Sequence, residues 1–132
     1  MTGGTLLLDS EGLARLVSDD DGLVAIIRAA RRRGATIMTT TMTTLEGDDP
    51  RVPDARFRWT LSKVDVQEIT RDASRDARAL LREHKLRGHS HAIDAAFAAI
   101  ARSAPKPVAI VTSDPDDMRR LAGPGVRIIS LG

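Results

Sequence analysis

Acidic side chains follow several short apolar runs of this sequence, and four of them have the types and spacing to bind a divalent metal ion. Asp9 follows the run TLLL directly, Glu46 lies one short helix beyond a second run, and Asp114 comes just after VAIVT. In parallel α/β proteins, ligands bind outside the carboxyl ends of the strands. Carboxylates held together there repel one another, and a hard cation such as Mg²⁺ or Mn²⁺ removes that repulsion.

Asp94 is the fourth candidate, and it stands in the most apolar helix that the sequence predicts. Ile93, Ala95 and Phe97 surround it, so few polar positions remain for a solvated face. A lone carboxylate in such surroundings is costly and is usually paired, protonated or bound to a metal ion. Asp94 therefore has the strongest physical case of the four acids.

Three of these acids also have a purely structural interpretation. Asp9 could cap the helix that follows it, and Asp114 is well placed as the N-cap before Pro115. Glu46 could be an ordinary solvated helix residue. The prediction of a site therefore depends on the joint placement of the four acids and not on any one of them.

Neighbouring polar residues compete with these acids or could support them. Asp48 and Asp49 lie close enough to Glu46 to be the ligand in its place, and Asp116 or Asp117 could assist or replace Asp114. The Ser and Thr hydroxyls near the acids could orient water or a carboxylate, and each of these residues also fits a turn or a cap. The possible supporting residues are Ser10, Thr112, Ser113 and Asp117.

Two histidines lie shortly before Asp94. His89 and His91 could suggest a zinc ligand pair or a general acid. They are one residue apart near a helix start and no third ligand lies nearby in the sequence. A surface or phosphate-facing position is the alternative that we favour.

Length and composition exclude several classes of protein. The 132 residues fit a single domain, 1–132, that can bury a core without disulfides. The absence of cysteine excludes a thiolate metal site, and neither a signal peptide nor a membrane helix is predicted. The net charge of +2 is too small to argue for nucleic acid, and one Trp and two Phe argue against a base-stacking platform.

Strand and helix signals alternate along the chain, which predicts an α/β fold with a parallel sheet and helices on both faces. Gly34 is a natural end for the second helix. Strands are predicted at 5–8, 35–39, 64–69, 108–112 and 126–129. Helices are predicted at 11–17, 22–33, 54–62, 71–86 and 90–102, with a short one after the second strand and another that starts at Asp114 and Pro115.

The chain resembles the PIN-domain proteins, in particular the VapC-type ribonuclease toxins of bacterial toxin–antitoxin pairs. The resemblance covers nearly the whole length, and the stretches that carry it are LLLDSEGLARLV (6–17), TTTMTTLEGDDPR (39–51), GHSHAIDAAFAAIA (88–101) and VAIVTSDPDDMRRL (108–121). The family has an acid after the first strand, one in the helix after the second, one early in an apolar helix and one in a Thr-x-Asp pattern after the fourth strand. The matching residues are Asp9, Glu46, Asp94 and Asp114.

This resemblance implies a fold, an activity and partners. The fold would be a three-layer α/β/α domain with a five-stranded parallel sheet of order 3-2-1-4-5. The activity would be Mg²⁺- or Mn²⁺-dependent hydrolysis of RNA phosphodiester bonds, with Asp9 and Asp94 as direct ligands, and with Glu46 near the attacking water. Asp114 would complete the site. The partners would be an RNA substrate, a small antitoxin protein and a second copy of the chain, in the cytoplasm.

Basic residues could hold the backbone of such an RNA. The segment 51–63 is the best candidate because Phe57 and Trp59 lie among its cations, although these aromatic rings could equally pack against the core or a partner. The cluster 31–33 is explained as well by charge at a helix C-terminus. The candidates for RNA contact are Arg51, Arg56 and Arg58.

Alternative functions remain open at this point. One is an RNA-processing PIN nuclease without an antitoxin. Another is a non-catalytic flavodoxin-like or receiver-like signalling module, which needs a Lys after a late strand, where Thr112, Ser113 and Asp114 supply none. A PIN scaffold that only binds partners is a third, and the presence of all four acids argues against it.

Overall fold

Five parallel strands form the central sheet in the computed structural model, which describes residues 3–131. Their order is β3-β2-β1-β4-β5, and every neighbouring pair is parallel. This confirms the predicted α/β fold and its 3-2-1-4-5 order. The strands are β1 Thr5–Leu8, β2 Thr36–Thr40, β3 Asp65–Gln67, β4 Val108–Thr112 and β5 Val126–Ser130.

Seven helices connect or follow the strands in the described part of the chain. They are α1 Ser10–Val17, α2 Asp21–Arg32, α3 Thr41–Gly47, α4 Asp54–Leu61, α5 Arg71–Glu83, α6 Gly88–Ser103 and α7 Pro115–Ala122. Gly34 follows α2 with a φ of 81°, and its N–H donates to the Arg31 carbonyl, as expected for a glycine that ends a helix.

The two faces of the sheet have separate apolar cores because side chains alternate along each strand. Leu7 and Ile110 point to the face covered by α5, α6 and α7, where the alanines of α6 allow close packing. Leu6 and Leu8 point to the opposite face, where α2 packs through Leu23. This arrangement is the predicted three-layer α/β/α architecture.

Three predicted boundaries differ by more than one residue. Helix α5 ends at Glu83 and not at 86, because Lys85 has a φ of 55° and the Leu86 N–H turns back to the Leu81 carbonyl at 2.8 Å. Helix α6 begins at Gly88, two residues before the predicted start at 90.

The third difference concerns β3, which spans three residues and not 64–69. Before the strand, the Val64 N–H donates to Leu61 and closes the end of α4. After it, Thr70 accepts a hydrogen bond from the Ala73 N–H at 3.1 Å and caps α5, so the chain leaves the sheet early.

No helix within residues 3–131 is long and apolar enough to cross a membrane.

Candidate metal centre

Asp9 is fixed at the end of β1 by two backbone groups. Its Oδ1 accepts from the Gly12 N–H at 2.8 Å and caps α1, as the structural interpretation of this residue predicts. Its Oδ2 accepts from the Ser113 N–H at 3.0 Å. The same carboxylate therefore starts one helix and ties it to the loop after β4, which draws two neighbouring strand ends together.

Buried threonine hydroxyls hold the ends of β1 and β2. The Thr39 hydroxyl donates to the Leu8 carbonyl at 2.8 Å, directly before Asp9, and is fully buried. Thr40 caps α3 through the Thr43 N–H at 3.1 Å. Sequence reasoning missed these positioning residues, and the run TTTMTT at a strand end was the signal that pointed to them.

Three carboxylates converge where α6 passes the start of α7. Asp94, Asp114 and Asp117 each place an oxygen within 4.8 Å of the others, and no other three acidic or histidine side chains within residues 3–131 come this close together. Asp117 was predicted as a residue that could support or replace Asp114. The structure brings it to the same place as two of the four predicted acids.

The electrostatics of this group reflect burial first and the crowding of negative charge second. The pKa of Asp94 is raised to about 6. Burial is the largest cause, the charges of Asp114, Asp117 and Glu46 also raise it, and His91 acts in the opposite direction. Asp94 is half-buried, less enclosed than its apolar helix suggested. Burial also raises the pKa of Asp114, and a hydrogen bond and the charge of Asp117 add to that.

Asp114 occupies the N-cap position of α7 but its side chain caps nothing. Its own backbone N–H donates instead to the buried Thr112 hydroxyl at 2.9 Å. This hydrogen bond turns the chain after β4, and Pro115 then begins the helix as predicted. The cap interpretation of Asp114 is therefore right about its position and wrong about its side chain.

Glu46 lies near these acids but outside the group of three. It is exposed in the last turn of α3, and its pKa is raised by burial and then by the charge of Asp9. Next to it, a Cβ on Gly47 would lie 3.2 Å from the Ser10 carbonyl and 3.3 Å from Leu13. This close approach of α3 to α1 sets Glu46 beside Asp9.

The rival acids are explained by other contacts. Asp49 pairs with Arg51 at 2.8 Å, and hydrogen bonds from that residue lower the pKa of Asp49. Asp116 pairs with Arg119 at 3.2 Å, and Asp48 is exposed after the end of α3. None of these three belongs to the carboxylate group within residues 3–131.

The two histidines differ in their surroundings. His89 is exposed, as predicted. His91 is half-buried one turn before Asp94, and its Nδ1 is buried with no hydrogen-bond partner among the described residues. Its contribution to the site is to lower the pKa of Asp94.

The arginines predicted to contact RNA all make surface ion pairs. Their partners are Asp49 for Arg51, Asp19 for Arg56 at 3.2 Å, and Asp54 for Arg58 at 2.8 Å. Arg56 also donates to the Val17 carbonyl at 2.8 Å and holds α4 against α1. Their role in binding RNA stays a prediction.

The group of three carboxylates has the donor chemistry of a Mg²⁺ or Mn²⁺ site. All of its ligand atoms are hard oxygens, and the raised pKa values have burial as their largest cause and mutual repulsion as a further one, both of which a cation would offset. Asp9 adjoins the group through the Ser113 N–H, and Glu46 is near enough for its charge to raise the pKa of Asp94, but neither is a member of the group. A direct bond from Asp9 to the metal ion stays a prediction.

No protein-family model matches the sequence, and no curated protein matches it. Solved structures do match, and one is a chain of VapBC2 from Rickettsia felis, crystallised with a DNA fragment from the promoter. The two chains are 12% identical and superpose with a TM-score of 0.70 over 97% of this chain and 99% of the other. At this identity the similarity shows that the two chains share a fold.

Proposed function

We propose that this protein is a divalent-metal-dependent endoribonuclease of the VapC type, the toxin of a toxin–antitoxin pair. The observation that carries the proposal is the convergence of Asp94, Asp114 and Asp117 at the carboxyl edge of the parallel sheet. The fold shared with the VapBC2 chain supports the family-level part. Ligand sites occur at this edge in open parallel sheets.

Asp94, Asp114 and Asp117 would hold Mg²⁺ or Mn²⁺. A bound ion would supply Lewis-acid chemistry, because it stabilises negative charge on phosphoryl oxygens and lowers the pKa of water. Thr112 and the Ser113 N–H fix the loop that carries Asp114, so this ligand is held in place before the ion binds. A metal ligand that is already held in place loses less conformational entropy when the ion binds.

Asp9 and Glu46 would act on the water and the substrate. Asp9 is held by two backbone N–H groups, so its carboxylate has a fixed orientation beside the ligands. Glu46 is exposed, and its pKa is raised toward neutral pH, which makes it a better base than an ordinary glutamate. It would accept the proton that water loses during attack on the phosphorus atom.

RNA as the substrate, an antitoxin as a partner and a homodimer are proposed on the likeness to the VapBC2 chain and on the sequence motifs. The receiver-like alternative is disfavoured by topology. Flavodoxin-like and receiver-like sheets have the order 2-1-3-4-5, whereas this sheet has the order 3-2-1-4-5.

Cleavage of total cellular RNA by the purified protein tests the nuclease proposal. We expect cleavage with Mg²⁺ or Mn²⁺ and none with EDTA. Asp94→Asn and Asp117→Asn should each lower the rate by roughly a hundredfold or more, because each removes a ligand. Mapping the cut sites would also identify the preferred RNA.

Asp116→Asn is the matched control, because Asp116 adjoins Asp117 in the sequence but pairs with Arg119. It should cleave like the wild type. Undiminished cleavage by Asp94→Asn, or equal cleavage in EDTA, would show that the site assignment is wrong.

The toxin part of the proposal has its own test. Expression of the wild type should slow bacterial growth, and Asp94→Asn should relieve that effect. A host that grows normally while the purified protein cleaves RNA would favour an RNA-processing nuclease without an antitoxin.

A further inference from the structure

A small cleft lies between α2 and α4, away from the carboxylate group. It has a volume of about 220 Å³, with an apolar floor and a polar rim. We call it the Trp59 cleft. Its lining includes Leu16, Asp19, Arg28, Arg31, Trp59 and Lys63.

Trp59 leaves most of its ring in solvent at the mouth of this cleft. Its side chain is 60% exposed, whereas Phe57, two residues earlier in α4, is buried against Leu13 and Val17. The Lys63 ammonium lies 3.9 Å from the centre of the Trp59 ring. A large aromatic ring left in water beside a cation is a surface suited to binding.

The rim of the Trp59 cleft carries a positive charge that the protein does not neutralise. Arg28, Arg31 and Lys63 are exposed, and none forms an ion pair with a carboxylate within residues 3–131. Asp19 also lines the cleft, but Arg56 pairs with it. The Arg31 guanidinium donates to the Lys63 carbonyl at 3.1 Å, and that neutral partner leaves its charge uncompensated. Cations without a carboxylate partner are available to an anion, unlike Arg51, Arg56 and Arg58.

The size of the Trp59 cleft limits its occupant. Pockets that enclose a whole small ligand measure roughly 300–1,000 Å³, so a cleft of about 220 Å³ fits one planar group, and a neighbouring phosphate would lie at its charged rim. Aromatic rings stack on bases without regard to sequence, and lysine and arginine bind the phosphates between them. The contact between Lys63 and Trp59 is an exposed cation–π pair, which is weak enough for a base to displace.

We propose that the Trp59 cleft binds one unpaired base and its neighbouring phosphate of a single-stranded RNA, a substrate subsite that rests on the proposed nuclease function. Helix α1 connects this cleft to the metal centre, because Asp9 caps its start and Leu16, near its end, lines the cleft. Eight helical residues span roughly 12 Å. A strand bound at both places would therefore be cut a few nucleotides from the base that stacks on Trp59.

Intrinsic fluorescence tests this proposal directly, because Trp59 is the protein's single tryptophan. The wild type in EDTA would be titrated with a single-stranded oligouridylate, so that cleavage does not interfere. We expect saturable quenching of the Trp59 fluorescence. Arg28→Ala and Lys63→Ala should each raise the Kd for the oligouridylate roughly tenfold. Arg82→Ala is the matched control, because Arg82 lies on α5, which covers the opposite face of the sheet. The Kd of this variant should equal that of the wild type.

A labelled oligouridylate followed by anisotropy extends the test to the ring itself. Trp59→Ala should weaken binding roughly tenfold and Trp59→Phe less, because phenylalanine retains a stacking surface. The proposal is overturned if duplex RNA or polyglutamate quenches Trp59 as strongly as the single strand does. It is also overturned if Trp59→Ala binds like the wild type.

The two proposals fail in different ways. Normal quenching with no metal-dependent cleavage would contradict the nuclease function and leave the nucleic-acid site standing. Metal-dependent cleavage that Trp59→Ala does not change, on long as well as short strands, would contradict the subsite alone.

Discussion

Asp94, Asp114 and Asp117 are held together by the fold at a cost in free energy, which comes first from burial of the Asp94 carboxyl and then from charge repulsion. Asp94 comes from α6, whereas the other two come from the first turn of α7 and the residue before it. In the absence of a cation, the folded protein keeps a proton more tightly at this point than the unfolded chain does. Such a cost is tolerated where it serves binding or catalysis.

The pH dependence of stability measures this cost at Asp94. Its pKa is about 6 in the folded protein and 3.8 ordinarily, so the wild type loses stability as the pH rises from about 4 to about 6. Asp94→Asn has no such loss. In EDTA at pH 7.5, its free energy of unfolding should exceed that of the wild type by about 1 kcal/mol, after discounting for the half-exposed carboxyl.

Thermal denaturation in EDTA at pH 4 and at pH 7.5 would check this prediction. The advantage of Asp94→Asn should appear at the higher pH and shrink at the lower one. Asp116→Asn, whose carboxyl is paired with Arg119, is the control. An equal difference from the wild type at both pH values would contradict the assigned pKa.

At the scale of elements, the site depends on how the strand ends are fastened. Thr39 bonds β2 to the end of β1, and Asp9 bonds α1 to the loop after β4. At the opposite end of β1, Gly4 has a φ of 74°, and a Cβ there would lie 2.1 Å from the Pro107 carbonyl oxygen. That oxygen accepts a hydrogen bond from the Thr5 N–H at 2.9 Å.

Gly4→Ala should therefore destabilise the protein strongly. The new methyl group would separate β1 from the start of β4, and a left-handed backbone conformation costs roughly 1–3 kcal/mol for a residue with a side chain. We expect a loss of at least about 2 kcal/mol in urea denaturation. Gly125→Ala, with no atom within 4 Å of the added Cβ, should be close to neutral. Similar midpoints for the two variants would show that the contact is not tight.

At the scale of the whole molecule, a metal bound only by the folded state stabilises that state by mass action. Mg²⁺ should raise the Tm of the wild type and raise that of Asp117→Asn less. Asp116→Asn should respond like the wild type. Differential scanning fluorimetry with and without Mg²⁺ at matched ionic strength measures this without reference to activity, and an equal rise in all variants would argue against the carboxylate group as the site.

The sequence was sufficient for much of the architecture. Short apolar runs such as 108–112, separated by amphipathic helices, predicted a parallel sheet because each run must be buried between helical layers. The sheet order came from the family resemblance and was confirmed. The end of α5 was missed because a left-handed lysine, Lys85, carries no local signal comparable with glycine.

The candidate site was predictable only in part. Composition and strand position identified Asp9, Asp94 and Asp114, but three acids follow β4 within five residues. Which of them turns toward Asp94 depends on the Thr112 hydrogen bond, on Pro115 as the start of α7, and on the packing of α6 against α7.

The sequence by itself determined the positions of three acids along the chain: one carboxylate after each of two strands and one within an apolar helix. The tertiary structure alone decided that Asp117 joins Asp94 and Asp114, and that Trp59 faces solvent while Phe57 is buried. The physical reason is that both outcomes depend on contacts between segments far apart in the chain. Local periodicity reports which side of a helix is apolar, and it does not report what packs there.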